Sequence, residues 1–527
     1  MIRKRAWFLS LALVAAMGAC SDDDDNGGGT QPVTPPTAPT GVAASASGAD
    51  VTVSWTAVTG ATAYDVQRQA VGGASFATVG TDVSTTSFTD AGLAPGTYLY
   101  RVIARNSGGS SPASDPATIV IEEAMPFANI TGTITGERTL SADTTYTLQG
   151  IVVVDDGGRL NIPAGTLIFG STDIQPTALI VRTGGQLFSE GTEDNPVVFT
   201  SPAPTPTKGD WGGVVLNGRS ICNFPASECI GEGASGPYGG DVLDDNSGRI
   251  VFTRIEWAGF EVSFGNELNA LTLNGVGSGT EIHHVQTHGG LDDGFEWFGG
   301  TVDAKYLIAT DISDDSFDFS TGWHGRGQFW IAQQDPDDAD NGYEVDGNED
   351  DFDATPWTNP TIYNVTLVGK GPDGSGGTAG ESTRGILLRR GTAGLYANHI
   401  VTGFGSEGFD VDQLETVARS VADSMNVINS IVFSNAANFS GDDDGIDEEA
   451  WFMVAARNNM VVDPMLASPF DRAAPDFRPG AGSPAVGAGA TPPADGWFDV
   501  VDFIGAVGAG ATEWYKAPWT RWGSSGS

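Results

Sequence analysis

Two short motifs alternate along the middle of this chain, and their spacing excludes most folds. One reads Gly294-Phe295-Glu296-Trp297-Phe298 and returns as Ser316-Phe317-Asp318-Phe319-Ser320 and Gly342-Tyr343-Glu344-Val345-Asp346. It returns again as Gly385-Ile386-Leu387-Leu388-Arg389 and Gly408-Phe409-Asp410-Val411-Asp412. The second lies between the copies: Ile282-His283-His284-Val285, Tyr306-Leu307-Ile308, Phe329-Trp330-Ile331, Ile362-Tyr363-Asn364-Val365, Leu395-Tyr396-Ala397-Asn398 and Val427-Ile428-Asn429-Ser430. A full cycle takes 22 residues from Gly294 to Ser316 and 26 from Ser316 to Gly342. Alternating apolar and polar positions are the period of a strand. A unit this short cannot bury its own core, whereas stacked units bury a continuous one. Two or three strands per coil predict a parallel β-helix, right-handed from its coil length and irregular loops. The longer cycles after Gly342 predict loops inserted at one corner.

Earlier segments fit as the first coils. Residues 151–154, 159–169, 178–188 and 196–200 read as short strands joined by glycine turns, and Asp210 to Leu216 begins the next. Ahead of them, residues 37–122 alternate apolar and polar residues between turns, the pattern of short antiparallel strands. Val51, Val53 and Trp55 share one face of a strand, Tyr64 to Arg68 forms another, and Gly96 to Ala104 a third. With Pro39, the Tyr98/Tyr100 strand and the Arg105-Asn106-Ser107-Gly108 turn, this stretch resembles a fibronectin type III domain. That resemblance implies a two-sheet sandwich acting as a spacer or binding module.

The solenoid also carries specific motifs: Pro-Val-Val-Phe-Thr-Ser (196–201), Gly-Asp-Trp-Gly-Gly (209–213), Asp-Asp-Asn-Ser-Gly (244–248), Gly-Phe-Glu-Trp-Phe-Gly-Gly (294–300) and Phe-Ile-Gly-Ala (503–506). Residues 476–485 resemble a common closing segment of right-handed β-helices. Over residues 128–520 the chain resembles a family of secreted β-helix lipoproteins from Bacteroidetes and neighbouring bacteria, which implies architecture and location and no reaction. The expected fold class is therefore all-β: a fibronectin type III sandwich at 37–122, then a right-handed parallel β-helix of the pectin-lyase-like kind at 128–520. His283, His284 and His288 stand where small polar residues are expected.

The first residues read as an export signal. Arg3, Lys4 and Arg5 precede a short apolar run over 6–19, too short for a stable transmembrane span. Met17-Gly18-Ala19-Cys20 resembles a bacterial lipobox, which implies cleavage after residue 19 and lipidation of Cys20. Ser21 and Asp22 to Asp25 resemble the surface-export signal of Bacteroidetes-type lipoproteins, within an acidic, Gly/Pro-rich tether over 20–36. The expected location is the outer membrane, lipid-anchored and facing outward. Cys222 and Cys229 flank a loop outside the cytoplasm and are expected to form a disulfide.

Charge sharpens the functional reading. Sixty-seven acids against 25 bases give a formal net charge of −42. No basic stripe exists to neutralise phosphates, so nucleic acid is not an expected partner. Three cysteines without a CxxC and five histidines exclude haem attachment and zinc ribbons. Between Asp292 and Asp353 there are 18 carboxylates and two strong bases, Lys305 and Arg326. If Phe295 and Trp297 point inward, Glu296 points outward, and stacking aligns Glu296, Asp318 and Glu344, with Asp410 beyond Leu387. Carboxylates one strand spacing apart, ~4.8 Å, repel by about 3–4 kcal/mol at an effective dielectric of 20. Such a column needs cations, protons or full solvation.

The candidate calcium ligands are Asp292, Asp293, Glu296, Asp314, Asp315, Asp318 and Glu344, because calcium takes hard carboxylate oxygens. The bland alternative is a solvated, salt-adapted face. Paired acids could also serve as general acid and base, with His288, His324 and Arg326 near enough in sequence to assist. The run Asp442 to Glu449 has calcium-like composition without EF-hand spacing. Trp211, Trp257, Trp297, Trp330 and Trp357 are expected to fill the core rather than bind sugars. Asn364 and Asn429 suggest an internal asparagine ladder. Three function classes remain: glycan or cell-envelope binding and adhesion, which is favoured; a calcium-dependent polysaccharide lyase or glycoside hydrolase at 292–318; and a structural envelope stalk. No catalytic residue is singled out and no organic cofactor is expected.

Overall fold

A computed structural model describes residues 32–123, 125–225, 229–441 and 445–523, in two compact units that meet in sequence at Ala124 and Met125. The proposed leader, Cys20 and Asp442 to Asp444 lie outside the described residues.

The first unit is an antiparallel sandwich. Strands Ala43–Ser47, Asp50–Ser54 and Ser87–Asp90 make one sheet, and Ala63–Ala70, Ala77–Val83, Gly96–Asn106, Gly109–Ser110 and Ala117–Ile121 make the other. Val51, Val53, Val66, Tyr100 and Val102 fill the space between them, and Trp55 meets Tyr64 edge-on at 5.2 Å. The Tyr100 hydroxyl donates to Asp90 at 2.8 Å, and Arg68 pairs with the same carboxylate at 2.8 Å. A buried phenol needs such an acceptor.

The second unit is a parallel β-helix. Its ten-stranded sheet takes one short strand from each coil, from Thr133–Ile134 through Leu271–Asn274, Phe295–Phe298, Phe317–Ser320, Tyr343–Asp346 and Arg384–Arg389 to Glu407–Val411. A fifteen-stranded sheet carries the longer strands, among them Glu281–His288, Asp303–Thr310, Arg326–Gln333, Thr361–Val368 and Gly394–Thr402. The two recurring motifs occupy these two sheets respectively. Aromatic side chains stack coil on coil between them: Phe295 on Phe317 at 5.4 Å and Trp297 on Trp330 at 5.3 Å. Trp211, Trp257, Trp297 and Trp330 are buried, so they fill the core as expected. Trp357 instead lies under the Arg419 guanidinium at 3.8 Å.

The long strands bend at one residue per coil. Phe252, His284, Tyr306, Phe329, Asn364, Asn398 and Asn429 are neighbours in register and all have φ between 43° and 62°. Asparagine tolerates this left-handed conformation, whereas aromatic residues there are strained. Stacking compensates: Phe252 lies 4.4 Å from His284, His284 4.3 Å from Tyr306, and Tyr306 5.0 Å from Phe329. The unusual histidine at 284 is thus a ring in a stack.

The expected internal asparagine ladder is corrected here. Asn364 donates to Phe503 O at 2.8 Å, Asn398 to Ala490 O at 2.9 Å and Asn429 to Ala488 O at 2.8 Å. Gln286 and Gln328 pair in the same way with Arg521 and Asp499, each accepting that residue's N–H and donating to its carbonyl. The amides face outward because the C-terminal segment runs across this sheet and brings unpaired peptide groups to it. Residues 476–479 do not form a coil; Asp476–Pro479 pairs antiparallel with Leu466–Ser468.

Candidate functional site

On the outer face of the ten-stranded sheet one column of side chains changes chemistry along the solenoid. In register it runs Val153, Ile180, Val215, Thr272, Glu296, Asp318, Glu344, Leu387, Asp410. A hairpin of Phe260–Ser263 and Asn266–Leu268 covers the apolar part, with Phe260, Val262 and Leu268 packed on Ile180 and Val215. The acidic part begins one coil later.

A second row of acids lies at the corner before each strand. Asn269 Oδ1 accepts the Asp293 N–H at 3.0 Å, Asp293 Oδ1 accepts the Asp315 N–H at 3.0 Å, and Asp315 Oδ1 accepts the Asn341 N–H at 2.7 Å. One oxygen of each aspartate therefore joins adjacent coils. Groups within 4.8 Å form from both rows: Asp293, Glu296 and Asp318; Asp315, Asp318 and Glu344; Asp292, Asp293 and Asp314; Asp314, Asp315 and Asp340. All seven candidate ligands named from the sequence fall in these groups, and Asp340 joins them.

The acids are not uniformly solvated: Asp314 is exposed and Asp292, Asp318 and Glu344 are half-buried. Asp293, Glu296 and Asp315 are buried, and Asp318 Oδ1 is sealed from solvent with no hydrogen-bond donor. The cause is an insertion between strands Gly213–Asn217 and Gly248–Glu256 that folds over the acids. It encloses a cavity of about 420 Å³. Glu296, Asp318 and Glu344 line it together with Phe224, Ile230, Glu232 and Tyr238 of this flap, and Phe298, Glu349, Asp350 and Arg390 complete the wall. A Cys222–Cys229 disulfide closes the flap. Asn223 pins it to the coils, donating to Thr321 O and Gly347 O at 3.0 Å and accepting from Asn348 at 2.9 Å.

Burial and crowding raise the proton affinity of these acids. Burial, then neighbouring carboxylates, push Asp293, Glu296, Asp315 and Asp318 well above the usual range. The same causes raise Asp292 to about 8, Asp314 to about 6, and Glu344 and Glu232 to about 7. Among the described residues, arginines form ion pairs with the acids at the C-terminal end. Arg389 pairs with Glu344 and, at 2.8 Å, with Asp346; Arg390 meets Asp346 at 2.7 Å; Arg384 meets Asp410 at 2.8 Å. Among the described residues no lysine or arginine lies within ion-pair distance of Asp293, Glu296, Asp315 or Asp318.

His288, His324 and Arg326 do not join the acids, which corrects their expected assistance. His288 is buried at the end of strand Glu281–His288 and bonds Thr310 at 2.8 Å. His324 bonds Gly322 O at 2.8 Å. Arg326 belongs to the other sheet and pairs with Asp303 at 2.5 Å and Asp495 at 2.6 Å. These residues are close to the acids in sequence, but a coil turns between them. Asp447, after the undescribed Asp442 to Asp444, caps the short helix Glu448–Phe452 by accepting the Ala450 N–H. Sequence reasoning missed Arg389, Arg390, Glu232 and Tyr238. The alternation within Gly385 to Arg389 places Arg389 on the outer face with Leu387, so that signal was present.

Comparisons with known proteins agree with this architecture. A family model described as a pectate-lyase like beta helix domain matches residues 132–463, and a fibronectin type III model matches residues 37–120. Exoglucanase B of Cellulomonas fimi is 33% identical over 161 residues, 29% of this chain and 14% of that protein. The chain thus spans a small part of that relative's length. An Fn3-like protein from Clostridium thermocellum is 33% identical, covering 16% of this chain and 92% of that one, with a TM-score of 0.15. Titin kinase and its flanking domains give 28% identity over 16% of this chain and 17% of that one, with a TM-score of 0.16. The β-helix model spans well over half of the residues, and the chain belongs to the pectate-lyase-like β-helix family, with a fibronectin type III domain ahead of the helix.

Proposed function

We propose that this is an exported, lipid-anchored surface protein that binds carbohydrate in the cavity over the acid column, with calcium held in the column. The observation that carries the reading is the cavity itself, with carboxylates in register along the sheet and Phe224, Tyr238 and Phe298 among its lining side chains. Polar groups that fix orientation beside apolar ring surfaces are the usual make-up of a small-ligand site. The family and the partial likeness to an exoglucanase support a carbohydrate-related role. The leader, the lipobox-like Met17 to Cys20 and the acidic tether support export and anchoring, with the cell envelope as partner.

Calcium fits the donor set. Asp293, Glu296 and Asp318 offer only hard oxygens, within 4.8 Å of one another, and among the described residues no base forms an ion pair with them. Calcium–oxygen distances are about 2.3–2.6 Å, so oxygens on opposite sides of one ion stand about that far apart. The sealed Asp318 Oδ1 is the group most in need of a cation. Calorimetric titration of the purified protein with calcium tests this, with Glu296→Gln plus Asp318→Asn as comparison. Saturable binding lost in the double variant supports the site, and no binding in either form overturns it.

A second reading, a lyase or hydrolase, is favoured by one observation. Asp318 and Glu344 share a group within 4.8 Å, and Glu344 is raised to about 7, a value suited to proton transfer near neutrality. Release of reducing ends or unsaturated uronates from a polysaccharide panel, with calcium present, separates enzyme from binder.

A further inference from the structure

We infer that the cavity selects an uncharged sugar chain end and excludes polyuronates, a reading that rests on the carbohydrate-binding proposal and narrows its ligand. Two observations carry it. The first is enclosure. The acid column alone would lie along an open lateral face able to take the middle of a polymer. The flap converts that face into a pocket, because Phe224, Ile230, Glu232 and Tyr238 stand over Glu296, Asp318 and Glu344. Asn223 and the disulfide hold it there. A volume of about 420 Å³ lies at the small end of the usual range for ligand pockets, roughly 300–1,000 Å³, room for a short terminal unit rather than a long segment.

The second is charge. Seven acids line the cavity and one arginine, Arg390, which is already committed to Asp346. A single calcium ion bound by Asp293, Glu296 and Asp318 would offset those charges only in part. A ligand carboxylate would still face Glu349 and Asp350 on the exposed wall. Hydroxyls of a neutral sugar meet no such repulsion, and they can donate to the wall carboxylates of Glu349 and Asp350. Phe224 and Tyr238 offer ring surface to the apolar C–H face of a pyranose.

The test uses the whole protein in calcium. Affinities are measured for cello-, xylo-, laminari- and galacturono-oligosaccharides of two to six units. The expected result is binding of at least one neutral series with affinity unchanged beyond two or three units, and at least a hundredfold weaker binding of galacturonate of equal length. Glu349→Gln with Asp350→Gln, at two exposed wall positions, should strengthen galacturonate binding about tenfold relative to the neutral series. Affinity that climbs steadily with chain length, or a preference for galacturonate, overturns the inference while carbohydrate binding stands. Binding of none of the four series overturns both.

Discussion

Asp293 Oδ1 accepts the backbone N–H of Asp315, one coil further on, at 3.0 Å. The same carboxylate stands within 4.8 Å of Glu296 and Asp318. It is therefore both a coil-to-coil clamp and a member of the uncompensated acid group, and two substitutions separate these roles. Asp293→Asn keeps the acceptor and removes a charge. Asp293→Ala leaves a buried N–H without a partner, which costs about 1–3 kcal/mol. In chelator, the asparagine variant should melt at or above the wild type and the alanine variant below it. In calcium, the wild type should gain more stability than either variant. Thermal melts in both conditions read this out.

Stability without divalent cations should fall as pH rises. The folded-state values of Asp314, Glu344 and Asp292, about 6, 7 and 8, lie above those of unfolded Asp and Glu, about 3.9 and 4.3. Between those values the folded chain binds more protons than the unfolded one, so stability is greatest below about pH 4 for these groups. It is lost progressively up to about pH 8. Calcium should flatten that slope. Denaturant midpoints at pH 5, 6.5 and 8, with and without calcium, check both statements; a midpoint that rises with pH in chelator contradicts them.

Arg389 bonds both Glu344 and Asp346, and its loss leaves Glu344 without a base while Asp346 keeps Arg390. Arg389→Gln should destabilise the chelated protein by about 2–3 kcal/mol, less than for a sealed pair because the guanidinium keeps some solvent. Calcium should then stabilise this variant more than the wild type, because the acid group without a base has grown. Chemical denaturation in chelator and in calcium measures both effects.

The disulfide closes a loop of eight residues, Cys222 to Cys229. Chain entropy assigns such a closure about 2.5 kcal/mol. Cys222→Ser with Cys229→Ser should loosen the flap while the coils stay folded. The expected outcome is a small fall in the melting temperature and a larger fall in affinity for any cavity ligand. Limited proteolysis should cut first within residues 222–240.

The alternating motifs and the register of Glu296, Asp318 and Glu344 were legible in the sequence, because a solenoid repeats one local pattern. Once Phe295, Phe317 and Tyr343 are recognised as equivalent, the residues after them must stack. The fibronectin-type strands were legible for the same reason: period-two alternation is local. The sequence alone thus determined the strand order, the core aromatics and the acid column.

Tertiary structure decided what surrounds that column. The roof comes from an insertion with no periodic mark, far ahead in sequence of the acids it covers, so burial of Glu296 had no local signal. Histidines and arginines close to the acids in sequence turned away, because each half-coil reverses direction onto the other sheet. Arg389, more than forty residues after Glu344, came close because two adjacent coils place its strand beside that of Glu344. Whether a row of carboxylates is a hydrated surface or a buried one depends on which distant segments exclude water from it. That is a property of the packed molecule, and the spacing of residues along the chain does not contain it.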